Sequence, residues 1–145
     1  MQDRLYPPRP ILAASVAVFR GGKALIARRA RAPMLGVYSL PGGVVELGET
    51  LEQAALRELR EEVAVEADIL SFVTHVQPID HEGNRVRTHF VIAVFVARWR
   101  AGEGTLSAEA DHILWIDPER ASELPTTPEL PRILGEAARL ERALR

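Results

Sequence analysis

The chain reads as one α/β domain, residues 1–145, with a mixed sheet sandwiched between helices in an α/β/α arrangement. Three observations predict this. Residues 11–19 are apolar almost without interruption, and residues 85–99 carry apolar side chains on both faces from Phe90 onward. Strands covered on both sides read this way. Leu51, Ala55, Leu59 and Val63 recur every four residues, the stripe of a helix packed on a core. A length of 145 residues with 47% hydrophobic content suits a single core.

The elements follow in order. After the strand at 11–19, Gly21-Gly22 signals a two-residue hairpin, and residues 23–29 form the return strand. Residues 30–36 are a loop carrying Arg31 and Pro33, and 37–40 a short strand. Residues 66–77 are strand-like, rich in Val, Ile and Phe. A turn at 80–84 leads into the long strand at 85–99. Residues 101–111 make a loop with Gly102, Gly104 and three acids, and 112–116 a last short strand. Asp117-Pro118 opens a helical turn, 126–128 is a linker, and 131–144 has helical spacing through Ile133, Leu134, Ala137, Ala138 and Leu140.

The most informative stretch lies between these strands. Pro41-Gly42-Gly43 can turn sharply and bring backbone close to a ligand. Thr50 and Gln53 have the spacing of a capping box for the helix that follows. Its polar face carries Glu58, Glu61 and Glu62, three and four residues apart and therefore side by side. Like charges so placed cost roughly 0.2–0.5 kcal/mol each on an exposed helix. Arg57, one turn before Glu61, offsets part of this; a hard divalent cation shared with a diphosphate would offset the rest.

Residues 43–65 resemble the Nudix box: Gly, five residues, Glu, seven residues, Arg-Glu-aliphatic, one residue, Glu-Glu, one residue, Gly-aliphatic. Gly43, Glu49, Arg57, Glu58, Leu59, Glu61, Glu62 and Val65 fall in place. Ala64 stands where the family has its last glycine, at a position where a left-handed helix cap is common. The resemblance implies the Nudix fold and hydrolysis of a nucleoside diphosphate linked to another moiety, with Mg²⁺ or Mn²⁺ as cofactor. It implies Glu61 and Glu62 as principal metal ligands, Glu58 as ligand or base, and the Gly43 carbonyl as a further ligand. Arg57 would orient the carboxylates with Glu49 as its partner. Some members add a carboxylate from a later loop; Glu103, Glu109 and Asp111 are the candidates, Glu109 the favoured one, and Glu82 a further one.

Substrate contacts come from other residues. Guanidinium groups suit phosphate, and Arg28, Arg29 and Arg31 cluster near the end of the second strand. Alternation sends Arg28 and Arg29 to opposite faces. Arg28 is selected, with Arg87 in the long strand and Tyr38 as an aromatic able to stack on a base; Phe72, Phe90 and Trp99 are further aromatics of this kind. His75, His81, His89 and His112 show no metal-ligand spacing. The flanking pattern is most similar to small bacterial ADP-ribose pyrophosphatase-like members of the family. ADP-ribose-like substrates are therefore expected first, and nucleoside triphosphates, cleaved in nucleotide-pool sanitation, second. A nucleotide sensor is the reading from another class; the intact acids of the box disfavour it, and 145 residues leave no room for an added DNA-binding domain.

Composition narrows the partners. A net charge of −2 gives no general attraction to polyanions, so neither nucleic acid nor a membrane surface is expected. The absence of cysteine excludes disulfides, thiolate zinc sites and thiol catalysis. Residues 1–10 are polar and proline-rich with no apolar run behind them, so a cytoplasmic protein without a signal peptide is expected. The longest apolar run, 90–97, is too short to span a bilayer. The terminal segments, 1–10 and 131–145, are the candidates for homodimer contacts.

Overall fold

The computed structural model describes residues 4–32 and 34–145; residues 1–3 of the proposed N-terminal contact segment and Pro33 of the predicted loop lie outside the described residues. The strands are β1 (Ile11–Arg20), β2 (Lys23–Arg29), β3 (Tyr38–Ser39), β4 (Gly42–Val44), β5 (Glu66–Val76), β6 (Ile79–Glu82), β7 (Arg85–Ala101) and β8 (Ala110–Ile116). Helix α1 (Leu51–Val63) sits between β4 and β5, and α2 (Leu130–Ala143) closes the chain after a 3₁₀ helix at Pro118–Glu123. Among the described residues the strands form one mixed sheet with the path β3-β2-β1-β7-β5; β4 pairs β1, β6 pairs β7 and β8 pairs β2. The β1–β7 pair is parallel, from Ile11 opposite Phe90 to Phe19 opposite Arg98. The other pairs are antiparallel.

The unbroken apolar character of β1 follows from its two buried faces. Ala14, Val16 and Val18 point into a core shared with Leu59 and Val63 of α1. Ala17 and Phe19 point the other way, into a core with Leu130, Leu134 and Ala137 of α2. This is the α/β/α sandwich. The apolar stripe of α2 is thus taken up within the chain. Its Glu141, only 5% exposed, is held by Arg98 of β7 at 3.0 Å and by Arg145 at 2.8 Å.

Several boundaries differ from the sequence reading. Pro41-Gly42-Gly43 is not a turn: Gly42 and Gly43 open β4 and pair with Ser15 and Ala14 of β1. Neither glycine has positive φ. Close approach is what requires them; a Cβ on Gly42 would stand 2.5 Å from the Ala14 carbonyl oxygen. The turn expected at 80–84 is mostly strand, because Ile79–Glu82 pairs with β7 and only Gly83-Asn84 reverses the chain. The last strand begins at Ala110 rather than 112, which puts Glu109 at the mouth of a strand.

Helix α1 starts as predicted. Thr50 Oγ1 accepts from the Gln53 amide at 3.1 Å, and Gln53 Oε1 accepts from the Thr50 amide at 2.9 Å. It ends on Ala64 in the left-handed region, φ 56° and ψ 42°. Alanine there carries the Cβ strain that glycine avoids, about 1 kcal/mol. Ala64→Gly is expected to raise the melting temperature by about 3 °C in differential scanning calorimetry, with activity unchanged.

Candidate functional site

Helix α1 positions the acidic side chains over one end of the sheet. Glu58 and Glu62 are one turn apart on the same face, and Glu109, just ahead of β8, meets them. One carboxylate oxygen from each lies within 4.8 Å of the other two. Gly43 of β4 borders the same point; a Cβ there would stand 2.5 Å from the carboxyl carbon of Glu58. Gly43→Ala is therefore expected to push the Glu58 carboxylate aside. That group is the end of a flexible side chain, so the fold should survive. We expect kcat/KM to fall at least about 100-fold with a change in melting temperature under about 3 °C, checked by steady-state kinetics and calorimetry on one preparation.

Arg57 organises the carboxylates from behind. Its Nε and Nη2 donate to Glu49 at 2.6 and 3.0 Å, a paired fork on one carboxylate. Nη2 also donates to the Val44 carbonyl at 3.1 Å, which ties β4 to α1. Nη1 donates to Glu58 at 2.9 Å and to Glu61 at 3.1 Å. The Glu46 amide donates to Glu49 at 2.9 Å. Glu49 is thereby held down to about 2, the Arg57 hydrogen bonds being the larger cause and the Glu46 amide the smaller. The guanidinium of Arg57 is raised in turn.

Glu62 and Glu58 are shifted the other way. Glu62 is pushed up to about 8, chiefly by burial; the Glu109 and Glu58 charges add to this, and the Gly42 amide, donating to Glu62 Oε2 at 3.0 Å, opposes it. Glu58 is also raised by burial, with Arg57 pulling against it. Three carboxylates so close together, Glu58 and Glu62 among them resisting ionisation, offer hard oxygen donors that fit a divalent cation such as Mg²⁺ or Mn²⁺.

Arg4, Arg28, Arg29 and Arg31 line the same cleft, of about 700 Å³, as Glu58, Glu62 and Glu109. Arg28 Nε is anchored on Asp111 at 2.7 Å, and Arg31 stands 4.0 Å from Glu109. A cleft of this size, lined by both carboxylates and guanidinium groups, suits a phosphorylated small molecule.

Not every sequence candidate reaches the cleft. Glu61 is outside the three-carboxylate cluster; its side chain is 58% exposed and leans on Arg57. Tyr38 is buried in the α2-side core, its hydroxyl in contact with His112 Nδ1, and does not line the cleft. Arg87 is exposed on β7, where its carbonyl accepts from the Tyr6 amide at 2.8 Å, and is not among the lining residues either. Of the rival acids, Glu103 binds Arg20, Asp111 binds Arg28 and Glu82 accepts from the Tyr6 hydroxyl. Phe72 packs edge-on against Phe95, and Arg20 lies over Trp99. Sequence reasoning missed Arg4, Ser39 and the Gly42 amide; nothing around Arg4 in the sequence marks it. No described helix is long and apolar enough to cross a membrane.

Comparison with known proteins shows the family and the fold. The model of the NUDIX domain matches residues 9–136. An ADP-ribose pyrophosphatase of Methanocaldococcus jannaschii is 32% identical over 108 residues, covering 73% of this chain and 63% of that protein. The match thus spans under two thirds of the archaeal protein. A CTP pyrophosphohydrolase of Escherichia coli K12 is 34% identical over 113 residues, covering 75% and 77%. Among solved structures, a MutT NUDIX hydrolase from Burkholderia pseudomallei superposes with a TM-score of 0.76 at 26% identity, over 88% of this chain and 98% of that one.

Proposed function

From the premise that this chain belongs to the NUDIX domain family, hydrolases of the pyrophosphate bond in nucleotide derivatives, we propose that it is a divalent-metal-dependent catalytic domain cleaving nucleoside diphosphate derivatives of the ADP-ribose kind. The observation that carries this is the convergence of Glu58, Glu62 and Glu109 in a cleft that arginines also line.

Glu62 and Glu109 hold the cation, and Glu58 serves as ligand or as base for the attacking water. Gly43 borders the cluster. Glu61 shares Arg57 Nη1 with Glu58 and so stands at the open edge of the cluster, placed to take a further ion. Mg²⁺ or Mn²⁺, when bound, neutralises charge on the phosphate oxygens and acidifies water. Arg57, locked on Glu49, keeps Glu58 and Glu61 oriented. Arg28, steadied by Asp111, and Arg31, beside Glu109, grip the phosphates within the cleft. The water oxygen bonds to phosphorus as the bridging P–O bond breaks; the water proton passes to a carboxylate, and the departing phosphate leaves toward the arginines.

The similarity to a CTP pyrophosphohydrolase and the four arginines among the lining residues favour a second reading, cleavage of nucleoside triphosphates. Product analysis separates the two. The protein is incubated with Mg²⁺ and ADP-ribose, other nucleoside diphosphate sugars, dinucleoside polyphosphates, or nucleoside triphosphates, and products are resolved by ion exchange. AMP and ribose 5-phosphate from ADP-ribose support the first reading. Nucleoside monophosphate with pyrophosphate from a triphosphate supports the second, and no turnover of any compound contradicts both.

A further inference from the structure

The loop between β7 and β8, residues 102–109, is fastened at its start, middle and end, and its fastenings lead to Glu109. At its start, Gly102 has φ +92°, and a side chain there would collide with the Ala64 carbonyl oxygen at the end of α1. The Gly102 carbonyl accepts from the Trp99 indole at 2.7 Å, and the Glu103 carbonyl from the Trp115 indole at 3.3 Å. The Glu103 carboxylate takes a paired fork from Arg20 at 2.7 and 3.1 Å. The Arg20 guanidinium lies 3.7 Å from the centre of the Trp99 ring and 5.8 Å from that of Trp115. In the middle of the loop, the Thr105 amide donates to the Val63 carbonyl at 2.7 Å. The last carbonyls of a helix have no partner within it, and the loop supplies one here. At its end, the Glu109 amide donates to Ser107 Oγ at 3.2 Å, and the Glu109 carbonyl accepts from the Ala30 amide at 3.0 Å.

Val63 directly follows Glu62. The turn of α1 that presents Glu62 therefore also holds the loop that presents Glu109. We infer that the clamp of Arg20, Glu103, Trp99 and Trp115 is a positioning device, which sets the Glu109 carboxylate at cation-binding distance from Glu58 and Glu62. This rests on the reading of Glu109 as a ligand. The clamp suits positioning better than bulk stability. Glu103 is 79% exposed, and such ion pairs contribute little to folding, whereas the stacked fork fixes the loop's geometry. None of the four clamp residues is among those that line the cleft, so any effect on the cation must pass through the loop.

The test is calorimetric titration with Mn²⁺ alone, on substrate-free protein. Arg20→Gln is expected to weaken Mn²⁺ binding about fivefold while the melting temperature moves by less than about 3 °C. Arg20→Lys, which keeps the charge on Glu103, should recover part of the loss. Trp115→Phe, which removes the indole donor and keeps the packing, should act in the same direction, and it decides the matter if the Arg20 variant does not fold. In a Glu109→Gln background, Arg20→Gln should have no further effect. An Arg20→Gln loss that persists undiminished in that background overturns the positioning role, as does an absent loss when Glu109→Gln alone weakens binding. Unchanged Mn²⁺ binding in Glu109→Gln overturns the role of Glu109 itself, and the clamp proposal with it.

Discussion

Replacing Glu62 by Gln is expected to abolish turnover and, in metal-free protein at pH 8, to raise the melting temperature. The first effect comes from losing the most buried carboxylate of the cluster, and kcat should fall by at least about a thousandfold. The second follows from linkage. Glu62 titrates near 8 in the native protein, against 4.5 for an unperturbed glutamate. The native state therefore holds this proton more tightly than the unfolded chain. Stability from this group is full below pH 4.5 and is lost as the pH rises toward 8. Glutamine keeps the bond from the Gly42 amide and never ionises. The variant should melt about 5 °C above wild type at pH 8 and within a degree or so of it at pH 4.5. A scan of melting temperature against pH, in the presence of chelator, checks this. Loss of activity together with loss of stability at pH 8 would indicate a structural role instead.

Arg57→Leu is expected to produce the largest loss of stability of any single change at the site. The guanidinium serves Glu49, Glu58, Glu61 and the Val44 carbonyl at once, and its side chain is only 18% exposed. Removing one partner of such a cluster strands buried charge. The melting temperature should drop by about 8 °C at pH 7, and kcat by about tenfold or more as Glu58 loses its orientation. The pH dependence has the opposite sign to that of Glu62. Glu49 is depressed to about 2, so its contribution is present above pH 4.5 and is lost as the pH falls toward 2. The gap between wild type and variant should be full at neutral pH and narrow below about 4.5. A gap that stays constant into acid would sink the ion-pair explanation.

Much of the fold could be read from the sequence because burial on two faces and helical periodicity leave direct marks. The continuous apolar run of β1 and the four-residue stripe of α1 each point to one packing arrangement. Strand β4 was not legible. Gly42 and Gly43 have no strand propensity, and what makes them a strand is the backbone of Ala14 and Ser15 beside them. The site divides in the same way. Glu58 and Glu62, four residues apart, stay on one helical face. Glu61, three from Glu58, lies outside the cluster and bonds to Arg57. Three acids in one loop look alike in sequence; Arg20 and Arg28, distant in the chain, take Glu103 and Asp111 and leave Glu109 to the cluster. Residue type alone points to Tyr38 and Arg87, but their orientation depends on His112, the α2 core and the strand ends, none of which a local pattern encodes.

The central claim is that the carboxylate cluster is a divalent-cation site in which burial, with neighbouring charge, holds Glu62 protonated until the cation arrives. Calorimetric titration of the substrate-free protein with Mn²⁺ at pH 6 and at pH 8 addresses it most directly. The account predicts saturable binding that tightens with pH, release of about one proton per Mn²⁺ at pH 6, and loss of binding in Glu62→Gln. Affinity that is independent of pH, or that survives intact in Glu62→Gln, would contradict it.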